Sequence, residues 1–245
     1  ASGQGDNVLV VARASGAVDQ DPTNRVTYTA NAAFTSGTQI GSGNYVVYKG
    51  SGTSVNLTDL SVGTAYHFAV YEYNDNCIVH NMSELTGNIT TCDNAPSGQP
   101  TNFTSSAIAA TTATIGWTRA ASGQGDNVLV VARASSAVDQ DPSNGSSYTA
   151  NAAFTSGDEI GSGNYVVYKG SGTTVNITGL TPSTSYYFAL YEYKDNCVVY
   201  NANELTGNLN TSAGIATWDG SSSTDWNTAA NWSINAVPSS INDVI

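Results

Sequence analysis

The chain has 245 residues, seven basic and nineteen acidic, for a formal net charge of −12. Arg13, Arg25, Lys49, Arg119, Arg133, Lys169 and Lys194 stand singly, so no cationic stripe faces a phosphate backbone and no nucleic-acid partner is expected. No apolar run approaches the length of a membrane-spanning helix, so membrane insertion is not expected either. Charged residues make up only 11% of the chain, a composition suited to short strands and polar turns rather than to surface helices.

Internal repetition dominates the chain. Residues 1–90 and 121–210 align without a gap, and 67 of the 90 positions are identical. The chain opens inside a repeat at Ala1, which is read as the start of a piece processed or excised from something longer. Within a copy, residues 7–13 (Asn-Val-Leu-Val-Val-Ala-Arg) read as a buried strand. A long polar excursion over 14–43 follows, with Asp19-Gln-Asp-Pro22 and a short strand expected near Tyr28. Residues 44–49 are the next strand, Gly50-Ser-Gly52 a hairpin turn and 54–58 a further strand.

Leu60-Ser-Val-Gly-Thr-Ala-Tyr66 then feeds an alternating aromatic strand, and Leu180-Thr-Pro-Ser-Thr-Ser-Tyr186 repeats the phrase. A tyrosine six residues after a strand-ending leucine, set to pack back on the turn, is the corner of a β-sandwich. Alternation puts Tyr186, Phe188 and Leu190 on one face, and Tyr187, Ala189 and Tyr191 on the other. A polar loop carrying Cys77 leads to the last strand, over 85–91.

Residues 93–100 form a linker with prolines and a glycine. Two strands without a counterpart in the first copy follow, over 101–108 and 112–119. The second holds Trp117 in alternation with Ile115 and Ala113, as a core residue between two sheets would be. A first copy without these strands exposes a sheet edge and part of its core. Either the strands precede Ala1 in a parent chain or another molecule supplies them. The expected domains are thus 1–92, an incomplete repeat, and 101–212, a complete one. A Trp-rich segment over 213–245 starts a further module or forms a docking extension.

These residues resemble a fibronectin type III domain: the proline-led strand from Pro100 to Phe103, the Trp117 strand, and the Leu180-x-Pro-x-Thr-x-Tyr186 corner. The resemblance covers 95–210 as a whole domain and 1–92 as a truncated one. It implies an all-β chain of tandem immunoglobulin-like sandwiches, with Trp117, Tyr66, Tyr186, Leu60 and Leu180 in the structural core. The strands around Val8 and Tyr45, the Asp-Pro loop and Tyr71-Glu-Tyr73 are similar to repeats in very long surface proteins of gliding and other Bacteroidetes, exported by type IX secretion. That likeness implies an extracellular, cell-surface location. The Cys-bearing loops depart from it, since such repeats usually carry a Gly/Asn-rich turn there.

Chemistry has few candidates. His67 and His80, the only histidines, become Tyr187 and Tyr200 in the second copy, and Asp158-Glu159 is Thr38-Gln39 in the first. No catalytic constellation is expected, and the chain is not read as an enzyme. Asp19 and Asp21, with Asp139 and Asp141, place two carboxylates in a loop of each copy, a candidate calcium loop; Asp, Asn and Pro also belong in turns for their own hydrogen bonds. Cys77, Cys92 and Cys197 cannot all pair within the chain, Cys77–Cys92 is one bridge left open, and no pair has metal spacing. Trp218, Trp226 and Trp232 are candidates for stacking on a glycan or for docking, against the simpler reading as the core of a small module. Tyr71, Tyr73, Tyr191 and Tyr193 are candidates for an exposed adhesive stripe, against cross-strand packing.

The reading that follows is a stalk region of a long extracellular adhesin or filament, partnered by neighbouring copies or adjacent repeats. Alternatives are a fibre subunit joined by strand complementation between the tail and the open first copy, and an accessory glycan-binding module of a secreted polysaccharide-degrading enzyme.

Overall fold

The structure, a computed structural model, describes residues 5–233 and 237–238. Val244 and Ile245, the apolar end of the Trp-rich segment, lie outside the described residues. Two compact units divide the chain, Ala1–Asn94 and Ala95–Ile245. The first holds β1 (Asn7–Ala14), β2 (Gln39–Ile40), β3 (Asn44–Gly50), β4 (Ala65–Asn74), β5 (Val79–His80) and β6 (Leu85–Thr90). They form one antiparallel sheet in the order β2-β3-β1-β4-β5, and β6 lies along the early half of β4. The β-branched run of β1 favours the extended backbone, and its register against β4 sets Val10 opposite Val70 and Val11 opposite Ala69.

The second unit repeats that sheet and adds a second. Its strands are β7 (Thr101–Ser106), β8 (Ala113–Thr118), β9 (Asn127–Ala134), β10 (Tyr165–Gly170), β11 (Thr174–Ile177), β12 (Ser185–Lys194), β13 (Val199–Tyr200) and β14 (Leu205–Asn210). β9, β10, β12, β13 and β14 make the larger sheet, and β11-β8-β7 the smaller one facing it. Ala113, Ile115 and Trp117 from β8 meet Val128, Val130 and Ala132 from β9, and Phe188 and Leu190 from β12. Trp117 is 5% exposed, as expected for a core residue between sheets. Both tyrosine corners close as read from the sequence: the Tyr66 hydroxyl accepts the Ser61 N–H at 2.8 Å, and the Tyr186 hydroxyl accepts that of Thr181 at 2.9 Å. Leu180 is buried, while Leu60 in the first unit is only half-buried.

The structure departs from the sequence reading at several places. Residues 54–58 form no strand, whereas their counterparts in the second unit form β11. The reason is the neighbour: β11 pairs with β8, and the described residues of the first unit offer no such partner. The segment at Tyr28 is no strand either. It is irregular backbone held by a Thr38 to Thr29 hydrogen bond of 2.8 Å and one from Asn31 to Val46 of 3.2 Å. Residues 96–100, read as linker, belong to the second unit's packing: Pro96 and Pro100 are buried, and Gly98 N–H donates to the Gly123 carbonyl at 2.9 Å.

The largest correction concerns the excursion. Polar in sequence, it lies as a cover over the outer face of the sheet. Val18, Tyr28, Ala30 and Ile40 pack on Leu9, Val11, Val46, Ala69, Tyr71 and Tyr73, and the second unit builds the same cluster. Tyr71, Tyr73, Tyr191 and Tyr193 are therefore buried and do not form an exposed stripe. Ordinary alternation sends Val46 outward and Val47 to the inter-sheet side, and a bulge at Val47, repeated at Val167, shifts the register so that Tyr168 packs on the inter-sheet core beside Val167.

Truncating Trp117 to Ala should destabilise the second unit by about 3–5 kcal/mol, read as a lowered urea midpoint with loss of near-ultraviolet dichroism. Tyr186→Phe removes one hydrogen bond and almost no volume, so its expected cost is about 1 kcal/mol.

Candidate interaction site

Polar side chains fasten the excursion to the sheet in the same way in both units. Asn44 is fully buried, and its amide donates to the Ile40 carbonyl and to Asp19 Oδ1, each at 2.9 Å. Arg13 pairs with the other oxygen of Asp19. Tyr71 donates its hydroxyl to Asp21 at 2.9 Å, and Asn24 accepts the His80 N–H at 2.9 Å. Asn164, Asp139, Arg133, Tyr191, Asp141, Asn144 and Tyr200 repeat these contacts.

The four carboxylates proposed for calcium are engaged by protein donors. Among the described residues no group of three or more His, Cys, Asp or Glu is placed to hold a metal ion. The Asn44 amide, with Arg13, holds the Asp19 carboxyl below its ordinary range, and Arg133 followed by Asn164 does so for Asp139. Burial, then the hydrogen bond to the facing carboxylate, pushes the phenols of Tyr71 and Tyr191 well above theirs. Burial also raises Tyr200, and raises Tyr193 to about 12 with help from Asp195.

A buried ion pair was not anticipated. Glu192, 0% exposed, receives Arg119 in a two-pronged contact, Nε to Oε1 at 2.7 Å and Nη2 to Oε2 at 2.6 Å. Gly125 N–H adds a bond of 3.0 Å, and Arg119 also donates to the Gly125 carbonyl at 2.9 Å. The signal was present: a glutamate between two tyrosines on a strand apolar on both faces needs a cation, and Arg119 follows Trp117 by two residues. Beside the pair, the Asn201 amide donates to the Gly98 carbonyl at 2.8 Å.

The first unit lacks this closure. Leu85 and Ile89 are 72% and 50% exposed, whereas Leu209, the counterpart of Ile89, is 4% exposed under the smaller sheet. Val8, Val10, Phe68 and Val70 are only half-buried. This partly exposed apolar sheet face is a candidate interaction surface.

The tryptophans do come together. Trp218 stacks on Trp226 at 5.4 Å, and Trp232 meets Trp226 edge-on at 4.2 Å while its indole N–H donates to the Trp226 carbonyl. Buried Asn231 organises the loop, accepting the N–H groups of Ser222 and Ser223 and donating to the Asp225 carbonyl. The cluster forms a small core, with Trp232 2% and Trp226 52% exposed.

Cys77 is a free, exposed thiol, so the Cys77–Cys92 bridge is not made. The Cys92 carbonyl bonds Gly63 just before β4, and Cys77 lies just beyond its far end. Ten residues of strand separate the two by roughly 30 Å, against the ~7 Å that a disulfide spans.

Asn164→Ala should cost the second unit about 1–3 kcal/mol by stranding buried partners, with faster amide exchange concentrated in residues 135–163. His80 is buried with Nδ1 unpartnered, and burial, then nearby Lys49, depresses its pKa below the ordinary 6.5. The unfolded chain then takes up the proton first as pH falls. The first unit should hold its full stability above pH 6.5 and lose part of it as pH drops toward the depressed value. His80→Tyr, the residue of the second copy, should remove that slope from urea midpoints measured between pH 7 and 5.

No protein family and no curated protein matches this sequence. Matching solved structures include fibronectin type III domains, single and in tandem. A chicken tenascin segment of two such domains is 15% identical, with 86% of this chain and 87% of that one covered and a TM-score of 0.32. The FN1–FN3 domains of chicken CNTN1 are 12% identical, covering 84% and 56%, at 0.44. An FN3 domain of human collagen XX is 17% identical over 50% of this chain and 100% of that one, at 0.31. At these scores the likeness stays general, and the chain is a tandem of β-sandwich repeats on the strength of its strand pairings and its two tyrosine corners.

Proposed function

We propose that the chain is a stretch of the structural repeat region, the stalk, of a long extracellular cell-surface adhesin or filament. The observation that carries this reading is what the two copies keep and what they exchange. Kept are the corner tyrosine, the buried asparagine, the Asp-Pro clasp and the sheet valines, all of which hold the module together. Exchanged are both histidines and the Asp158-Glu159 pair, the groups with most to offer chemistry. Repetition of a scaffold without repetition of a reactive site supports reach and load-bearing over turnover.

A second reading, a fibre subunit completed by strand addition, draws support from the uncovered face of the first unit. An accessory glycan-binding role has one half-exposed tryptophan, Trp226, in its favour, and surface glycans stay the proposed ligand for that reading.

Pulling the chain end to end with an optical trap tests the stalk reading. In reducing buffer two separate unfolding steps are expected, about 30 nm for the first unit and about 40 nm for the longer second one, at about 3.6 Å per residue. Extension without discrete steps at any pulling rate would rule out a load-bearing module. A glycan array should show no binding above background, and clear binding abolished by Trp226→Ala would turn the assignment to the accessory module.

A further inference from the structure

Position by position, the second unit shows what the open face of the first is shaped to receive. Phe103 on β7 lies over Gly207, where a Cβ would sit 2.2 Å from its ring, and stacks on Phe188. Gly87 is the same position in the first unit, and a Cβ there meets nothing within 4 Å. Glu192 holds Arg119. Its counterpart Glu72 is half-buried and, among the described residues, receives only the Gly5 N–H at 3.3 Å. Lys49 sits over the Tyr73 ring, 5.4 Å from its centre, as Lys169 sits over Tyr193 in the second unit, so the lysine is the same in both and the arginine is what differs. Asn201 is buried on the Gly98 carbonyl, while Asn81 is exposed. Gly5, Glu72, Tyr73, His80 and Asn81 line a cleft of about 130 Å³ beside this carboxylate.

We propose that this face is a docking surface for the opening β-hairpin of a like repeat: two antiparallel strands, the first carrying an aromatic for Gly87, the second ending in Trp-x-Arg with the arginine on Glu72. The charge requirement selects the occupant. Residues 213–245 contain no Lys or Arg, so the tail has nothing to set against Glu72. A half-buried carboxylate facing an apolar strand would lose its remaining water without a partner, which penalises any purely apolar strand on this edge. A guanidinium in the Arg119 position offers the planar two-pronged contact, and it also reaches the backbone carbonyls that close the loop into the next strand. The inference holds wherever the chain works, and it is separable from the stalk reading.

The test joins a second copy of residues 96–120 ahead of Ala1 in the full chain, recreating the junction that Ala120 makes with Ala121. A fluorophore on the exposed Cys77 thiol reports the first unit. The added hairpin should raise the first unit's urea midpoint toward that of the second and reduce binding of an apolar dye. Arg119→Ala in the added segment, or Glu72→Gln in the chain, should erase most of that gain, while Glu72→Gln without the hairpin should leave the midpoint nearly unchanged. As a free peptide, residues 96–120 should bind the unmodified chain one to one, about 100-fold more weakly with Arg119→Ala. The proposal fails if the added hairpin leaves midpoint and dye binding unchanged, or if the gain ignores both substitutions. It also fails if the unmodified chain self-associates through this face and deleting residues 213–245 stops it, since the tail would then be the occupant.

Discussion

Everything in this module follows from a sheet that is apolar on both faces. In β12, Tyr186, Phe188 and Leu190 point one way, Ala189, Tyr191 and Tyr193 the other, and all six are buried. Such a strand has to be covered twice. One cover, the long excursion, lies within the repeat and is bound by buried asparagine and aspartate. The other is a separate three-stranded sheet brought largely by the β7–β8 hairpin. The two covers differ in how they are held, one through polar clips at a few points, the other through packed aromatics and one ion pair.

That difference explains what could be read from the residues. Strands with strict alternation, such as β4 and β12, announced themselves, and Trp117 and the two corner tyrosines located the inter-sheet core. The second core stayed hidden because the excursion has no period. Val18, Tyr28 and Ile40 are isolated apolar residues in a polar stretch: Val18 is half-buried and Tyr28 buried from irregular backbone, and Ile40 is buried from the two-residue β2. A stronger cue lay in Tyr71-Glu-Tyr73, where tyrosines continue a face that solvent was expected to cover. Aromatics on both alternations of one strand mean that neither face is wet. The strand expected at 54–58 failed for a related reason: its sequence suits a strand, but a strand needs a neighbour, and local propensity cannot supply one.

Carboxylates serve two purposes here, and composition alone cannot separate them. Asp19, Asp21 and their counterparts accept hydrogen bonds from donors of the sheet, in loops whose residues suit turns and could also suit a metal. Glu192 instead brings a charge into a dry place and makes a specific demand of whatever closes over it. Removing either partner of such a pair leaves an uncompensated charge, so its value lies more in selecting the covering strand than in net stability.

The tyrosine hydroxyls under the excursion have a consequence at high pH. Tyr71, Tyr191, Tyr193 and Tyr200 keep their protons beyond the ordinary value of 10, because burial disfavours the phenolate, helped by nearby carboxylates at the first three and by neighbouring tyrosines at Tyr200. Once the medium passes that value, the unfolded chain releases protons that the folded units retain, and each released proton draws the equilibrium toward the open chain. The module thus has an alkaline limit written into its outer core: the phenols that lock the cover in place near neutrality become the groups whose ionisation lifts it away.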